Sequence, residues 1–148
     1  MNSWFTRRID AFANYPAVMA GLALVFAQNV AAASAPDKYT AAELKVALQE
    51  AAEDINSRLP RMLDADFRLD SMTAGNREFR YNLTIVNYLA AQVDGLVIQK
   101  KMHGKLVENF CRGETLRVFR ENKIPITYIY FGKDAKEIAR MKVSPAQC

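Results

Sequence analysis

The side chain best suited to catalysis in this sequence is His103, the single histidine among 148 residues. Histidine is the usual general base and a frequent metal ligand, because its ring titrates near neutral pH. A histidine-rich metal site needs a second histidine, which the sequence lacks. We therefore expect His103 to be a surface or partly buried helix residue. A small enzyme that pairs His103 with a nearby acid is kept as an alternative.

Three aspartates form a loose acidic cluster, and their spacing resembles that of oxygen ligands for Ca²⁺. They are Asp64, Asp66 and Asp70. A calcium loop of the EF-hand type needs glycine at its sixth position and glutamate at its twelfth, and the twelfth residue here is Gly75. We therefore predict no metal site, and we expect Asp66 and Asp70 on the solvent face of a strand with Arg68.

Sequence motifs for the common catalytic sites are missing. The chain has no G-x-S-x-G nucleophile turn, no G-x-x-x-x-G-K-[ST] phosphate loop and no G-x-G-x-x-G dinucleotide motif. The composition, with 51% hydrophobic and 24% charged residues, is that of a folded globular domain and excludes a disordered chain. We predict a protein that is not an enzyme and that uses no cofactor.

Positive charge is concentrated between Lys100 and Lys123, where seven basic residues face three acidic ones. The aromatic residues of this stretch, Phe110 and Phe119, fall at expected core positions. They are therefore poor stacking platforms, and nucleic-acid binding is not expected. A solvated face is the simpler interpretation of this stretch, and contact with a membrane or with an acidic protein surface is the functional one. The predicted binding residues are Lys100, Lys101, Lys105, Arg112, Arg117 and Arg120.

The N-terminus has the pattern of an export signal. Arg7 and Arg8 precede an apolar run from Ala17 to Ala27, and small residues follow. We predict cleavage after Ala33, which makes residues 1–33 a signal peptide and residues 34–148 a single domain. An uncleaved anchor, which would bring membrane contact, is the alternative. No cysteine lies near the cleavage region to carry a lipid. The predicted location is the periplasm or the exterior.

Both cysteines, Cys111 and Cys148, fall in the predicted mature domain. Two cysteines in a small exported domain usually form a disulfide. The chain-entropy model gives a bridge of this span roughly 3–4 kcal/mol of stability. A redox-active pair is the weaker alternative, since there is no C-x-x-C motif.

Hydrophobic spacing predicts the remaining elements. Thr40 and Glu43 form a capping box ahead of a helix over 41–59, and a second helix covers 90–111 with Asp94 as its N-cap. Strict alternation predicts a hairpin, in which Phe67, Leu69 and Ser71 share one face and residues 79–85 form the second strand. A short helix over 114–121 and strands over 124–131 and 136–143 complete the domain.

The order of elements is α-β-β-α-(α)-β-β, which indicates an α+β domain. We expect an antiparallel sheet of about four strands with packed helices, closed by the disulfide. Tyr128 and Tyr130 alternate along the third strand. They pack in the core or across strands, or else they form an exposed aromatic edge that binds a partner by strand addition.

The sequence from about Leu59 onward resembles a group of small exported bacterial α+β proteins. The resemblance is carried by Leu59-Pro-Arg-Met-Leu-Asp64, Phe79-Arg-Tyr81, Phe110-Cys111, Thr127-Tyr-Ile-Tyr130 and Val143-Ser-Pro-Ala-Gln-Cys148. The nearest characterised architecture is that of the type II secretion pilotins, lipoproteins that escort an outer-membrane secretin. The resemblance implies this fold and the disulfide, and no binding residues are carried over from it.

These observations predict an exported, non-catalytic binding protein that acts on another envelope protein, in secretion or envelope assembly. An exported inhibitor or immunity-type protein that binds an enzyme is the second class. The enzyme centred on His103 is the third.

Overall fold

A computed structural model describes residues 39–75 and 77–148. The predicted signal peptide and its cleavage site lie outside these residues. The elements are α1 (Ala41–Asn56), β1 (Arg61–Met62), β2 (Phe67–Gly75), β3 (Glu78–Ile85), α2 (Gly95–Arg112), α3 (Arg117–Glu121), β4 (Ile126–Gly132) and β5 (Glu137–Val143). Within the described part of the chain, no helix combines the length and the apolar character needed to cross a membrane.

Helix α1 begins at the predicted capping box. The Thr40 hydroxyl accepts the Glu43 amide at 3.3 Å, and the Glu43 carboxylate accepts the Thr40 amide at 2.9 Å. The helix ends at Asn56, three residues before the predicted end at Leu59. The Asn56 side chain bonds both backbone groups of Met72 in β2, at 2.7 and 2.8 Å. This tertiary contact, which has no local sequence signal, holds the end of the helix against the sheet.

Helix α2 starts at Gly95, later than the predicted Ala90. Asp94 is its N-cap, as predicted, and accepts the Leu96 amide at 2.9 Å. Residues Ala90–Gln92 form a separate 3₁₀ turn. A Cβ at Gly95 would lie 2.3 Å from the Ile138 carbonyl oxygen. Glycine here therefore lets the start of α2 lie directly on the backbone of β5.

The predicted α+β class is confirmed, and the sheet has five strands in the order β1-β2-β3-β4-β5. The predicted hairpins β2–β3 and β4–β5 are antiparallel, whereas β3 and β4 pair in parallel. Parallel neighbours need a crossover connection, which α2 and α3 provide. The short strand β1 is the additional fifth strand, and it pairs with β2 through residues 61–62.

The alternation predicted for β2 holds only as far as Leu69. The register shifts between Leu69 and Ser71, so Met72, and not Ser71, continues the buried face. Asp66 is also buried, at 1% exposure, and accepts the Asn87 amide at 2.7 Å. The expectation of a wholly solvated aspartate cluster is therefore wrong for Asp66, because sequence alternation does not show where a strand begins.

Most of the apolar residues of β2–β5 share one face, on which α1 packs against β2 and α2 against β5. Tyr81 and Tyr128 stack at the centre of this face, with ring centroids 5.1 Å apart. Burial raises the pKa of both hydroxyls. Tyr128 and Tyr130 are buried in β4, an interior strand. Core packing is thus the correct interpretation, and an exposed aromatic edge is excluded.

The predicted disulfide is present between Cys111 and Cys148, whose Cα atoms are 5.4 Å apart. It joins the last turn of α2 to the residue that follows the 3₁₀ turn Pro145–Gln147. The bridge spans 37 positions of the sequence and therefore constrains the unfolded chain strongly.

Removing this bridge should destabilise the domain. We expect Cys148→Ala to lower the free energy of unfolding by about 3 kcal/mol in urea titrations of the oxidised protein. The control is the wild type in reductant, which should unfold at the same urea concentration as the reduced variant. Equal stability of the two oxidised proteins would contradict the expectation.

On the opposite face of the sheet, a charged hydrogen bond joins the parallel strands. The Thr127 hydroxyl donates to the Glu78 carboxylate at 2.6 Å, and Arg80 donates to the same carboxylate at 2.8 Å. The bond from Thr127 is the main cause that lowers the pKa of Glu78 below its ordinary value of 4.5. The folded state therefore favours the charged form of Glu78.

This lowered pKa gives a stability contribution that is present above pH 4.5 and is lost as the pH falls through the folded-state value. We expect Thr127→Val to reduce the free energy of unfolding at pH 7 by about 1–2 kcal/mol. The difference from the wild type should shrink below pH 4.5 in acid unfolding curves. Thr73→Val, an exposed threonine in the same cross-strand row, is the control and should change little.

A candidate basic groove

A groove of about 450 Å³ runs between α2 and β5. Positions 99, 100, 103 and 104 of α2 recur on one side of the helix, because residues three and four apart are neighbours on a helix surface. Strand β5 forms the other wall and is the edge strand of the sheet. The lining residues are Gln99, Lys100, His103, Gly104, Arg140, Met141 and Lys142.

The groove carries positive charge that is only partly balanced. Arg140 forms an ion pair with Glu137 at 2.8 Å, and that contact lowers the pKa of Glu137. Among the described residues, neither Lys100 nor Lys142 has a carboxylate at ion-pair distance. Lys142 does help to lower the pKa of Glu78, as a more distant charge. Lys100 therefore lines the helix wall of the groove without a carboxylate at ion-pair distance, whereas the Lys142 side chain shares the polar face of the sheet with Glu78.

His103 lies in this groove beside the C-terminal 3₁₀ turn. The amide nitrogen of Gln147 is 3.2 Å from Nε2 of His103. With the amide as donor, Nε2 is the acceptor and the ring carries its proton on Nδ1. No aspartate or glutamate lines the groove. The ring is thus positioned by an amide, whereas a general base is commonly oriented by a carboxylate.

The basic residues predicted to bind a partner are spread over different surroundings. Lys100 lines the groove. Arg112 pairs with Glu108 at 2.9 Å, and Arg117 pairs with Glu121 at 3.7 Å. Lys101 and Lys105 lie on α2, and both take part in interactions with other groups.

Arg120 has a structural contact that its charge alone did not indicate. Its guanidinium donates to the carbonyl oxygens of Phe110 and Gly113, at 2.7 and 2.6 Å. These carbonyls belong to the end of α2, where backbone acceptors lack partners within the helix. Arg120 therefore holds α3 against the end of α2.

Two cationic residues of the groove, Arg140 and Lys142, were not among the predicted binding residues. Both alternate with inward-facing residues of β5, which places them on its polar side. This alternation was visible in the sequence. The position of β5 beside α2 was not visible, because it depends on how the helix packs against the sheet.

The aspartates of the acidic cluster form hydrogen bonds with nearby backbone and side-chain groups. Asp64 accepts the backbone amides of Asp66 and Phe67, at 2.7 and 2.8 Å. Asp70 pairs with Arg68 and accepts the Thr84 hydroxyl. Across residues 39–75 and 77–148, no group of three or more histidine, cysteine, aspartate or glutamate side chains could hold a metal ion.

Several solved structures share this fold. A candidate secreted protein from Pseudomonas aeruginosa superposes with a TM-score of 0.63 at 15% identity, over 78% of this chain and 99% of that one. The pilotin EpsS of the Vibrio vulnificus type 2 secretion system gives 0.59 at 12% identity, over 73% of this chain and 94% of its own. The pilotin AspS of the Vibrio cholerae type II system gives 0.55 at 13%, with the same coverages.

The pilotin-like architecture is thereby confirmed, and identities this low show the fold alone. Among proteins of curated function, none matches the sequence. A family model described as a domain of unknown function, DUF8479, matches residues 43–139. That segment runs from the first turn of α1 to the middle of β5 and includes all of α2. Since the model covers well over half of the sequence, the chain belongs to the DUF8479 family.

Proposed function

We propose that this protein is an exported accessory factor that binds another protein of the cell envelope and performs no catalysis. The observation that carries the proposal is the fold, which two type II secretion pilotins share over 94% of their own length. A pilotin fold is a binding scaffold, and the proposal transfers that role to this chain. The partner itself is not identified by the fold.

Two features of the sequence support an envelope location. The N-terminal pattern of residues 1–33 is that of an export signal. The Cys111–Cys148 disulfide requires an oxidising compartment, such as the periplasm, to form and persist. A protein exported in this way would fold and become oxidised where its partner is found.

The groove between α2 and β5 is the surface proposed to contact the partner. Lys100 brings positive charge to its helix wall, and none of its lining residues is acidic. Complementary charge mainly accelerates and orients association, and it weakens with salt. An acidic surface on the partner is therefore the expected counterpart.

Export predicts a defined mature N-terminus. We expect protein recovered from the periplasm to have the intact mass of a chain that begins at Ser34. The small residues Ala31 and Ala33 form the A-x-A site that signal peptidase recognises. Replacing Ala33 with a bulky residue should delay cleavage. An Asp37→Asn variant, altered beyond both A-x-A sites (Ala31–Ala33 and Ala33–Ala35), is the control. Protein that retains residues 1–33 and stays with the membrane would instead indicate an anchor.

Binding predicts a partner that can be captured. Affinity purification after cross-linking of intact envelopes should recover one reproducible protein with the wild type. Reversing the charge at Lys100, Lys101 and Lys105 should reduce its recovery about tenfold at low salt. The control reverses three exposed lysines away from the groove, Lys45, Lys133 and Lys136. Failure of the wild type to capture any protein would contradict the proposed function.

A further inference from the structure

Arg77 and Lys123 adopt a backbone conformation that usually belongs to glycine. Their φ angles are 60° and 55°, in the left-handed region where a Cβ atom causes strain. Arg77 lies in the turn between β2 and β3, and Lys123 follows the end of α3. Glycine is the ordinary residue where a tight hairpin turn or a helix end needs a positive φ. Local geometry therefore gives no reason for a long cationic side chain at either position, and strain of this kind clusters at functional sites.

These two cations lie at the same end of the sheet. Strands β3 and β4 are parallel, so the segments that lead into them meet at one end. The Phe79 amide donates to the Pro125 carbonyl oxygen at 3.1 Å. Each cation is therefore two positions away from a residue of this shared hydrogen bond, and both are exposed. We call the surface around Arg77 and Lys123 the cationic end.

Neither cation of this surface has a carboxylate at ion-pair distance among residues 39–75 and 77–148. The acidic residue that is nearest to each in the sequence already has a partner. Glu78 pairs with Arg80 at 2.8 Å, and Glu121 lies 3.7 Å from Arg117. The positive charge of Arg77 and Lys123 is therefore not neutralised by these neighbours, and it favours an anionic counterpart.

The cationic end is also where the described chain begins. The Tyr39 amide donates to the side-chain oxygen of Asn122, the residue before Lys123, at 3.2 Å. The apolar and small residues of the export signal reach Ala35, four positions before Tyr39. An extended chain of four residues spans at most about 14 Å. When the signal crosses the membrane during export, the cationic end is therefore within about that distance of the lipid surface.

We propose that the cationic end binds the anionic phospholipid headgroups of the membrane across which the chain is exported. Arg77 and Lys123 pair with headgroup phosphates, and no enclosed pocket is needed because an anionic membrane attracts basic side chains over its whole surface. A membrane is favoured over an acidic protein because the export signal brings lipid next to this end. The contact goes beyond the proposed function, since it holds the exported domain at the membrane apart from any protein partner.

Vesicle sedimentation with protein purified from the periplasm tests this contact. Vesicles of equal parts phosphatidylglycerol and phosphatidylethanolamine should bind the wild type at low salt, and binding should weaken as salt screens the charges. The variant with Arg77→Gln and Lys123→Gln should bind about tenfold more weakly or less, because each basic residue near the surface adds to binding. The matched control, Lys133→Gln with Lys136→Gln, removes the same charge from the exposed β4–β5 turn at the opposite end and should bind within about twofold of the wild type.

Glycine substitutions separate lipid binding from stability. The variant with Arg77→Gly and Lys123→Gly should melt no lower than the wild type, because glycine adopts a positive φ without strain. It should bind vesicles as weakly as the variant with glutamine at both positions. A clear fall in its melting temperature would show that the two side chains serve the fold, and it would overturn the assignment of these residues to binding.

Further results would overturn the inference. They are absence of wild-type sedimentation with the anionic vesicles, equal binding by the two glutamine variants, and equal sedimentation with neutral phosphatidylcholine vesicles. An acidic protein as the true occupant would be revealed by cross-linked capture that depends on Arg77 and Lys123 while vesicles stay unbound, and this pattern also overturns the lipid contact. The capture experiment with charge reversal at Lys100, Lys101 and Lys105 reports separately on the proposed function.

Discussion

The apolar face of the sheet is the constraint on which the remaining structure depends. Alternate residues of β2–β5 turn their side chains to one side, and helices on that side bury them. Helix α1 covers β2 and helix α2 covers β5, so each helix lies near a different end of the sheet. The position of α2 at the β5 end is what creates the groove.

The parallel pairing of β3 with β4 gives α2 this position. Because the chain must cross over the sheet to return in the same direction, α2 and α3 occupy the connection between the two strands. The final hairpin then adds β5 as an edge strand beside α2. Edge strands have unpaired backbone groups that require protection or a partner. Gly95 and Gln99 approach this edge at Ile138 and Arg140.

The disulfide holds the C-terminal residue of the chain against the end of α2. It ties Cys148 to the last turn of α2, and the preceding Gln147 thereby remains beside His103. The C-terminal turn thus lies beside His103, which lines the groove. A covalent link in this place lets a short C-terminal turn, which has few contacts of its own, form part of a defined surface.

Local sequence patterns determined much of this architecture. The capping box at Thr40, the N-cap at Asp94 and the period-two alternation of β3 depend on neighbouring residues, so spacing alone reveals them. The disulfide was predicted from the presence of two cysteines and from the export pattern of the N-terminus. Helix ends were less predictable: α1 stops where Asn56 bonds to Met72, a residue sixteen positions away.

Only the tertiary structure decided which charged residues form one site. Six basic residues near the second helix were predicted together from their sequence density, yet Arg120 braces a helix end, and Arg112 and Arg117 pair with glutamates on their own helices. Lys100 instead lines one groove with residues 140–142 of β5, about forty positions later in the chain. The physical reason is that charge density along a sequence is a one-dimensional quantity. The field at a surface depends on strand pairing and helix packing between distant segments.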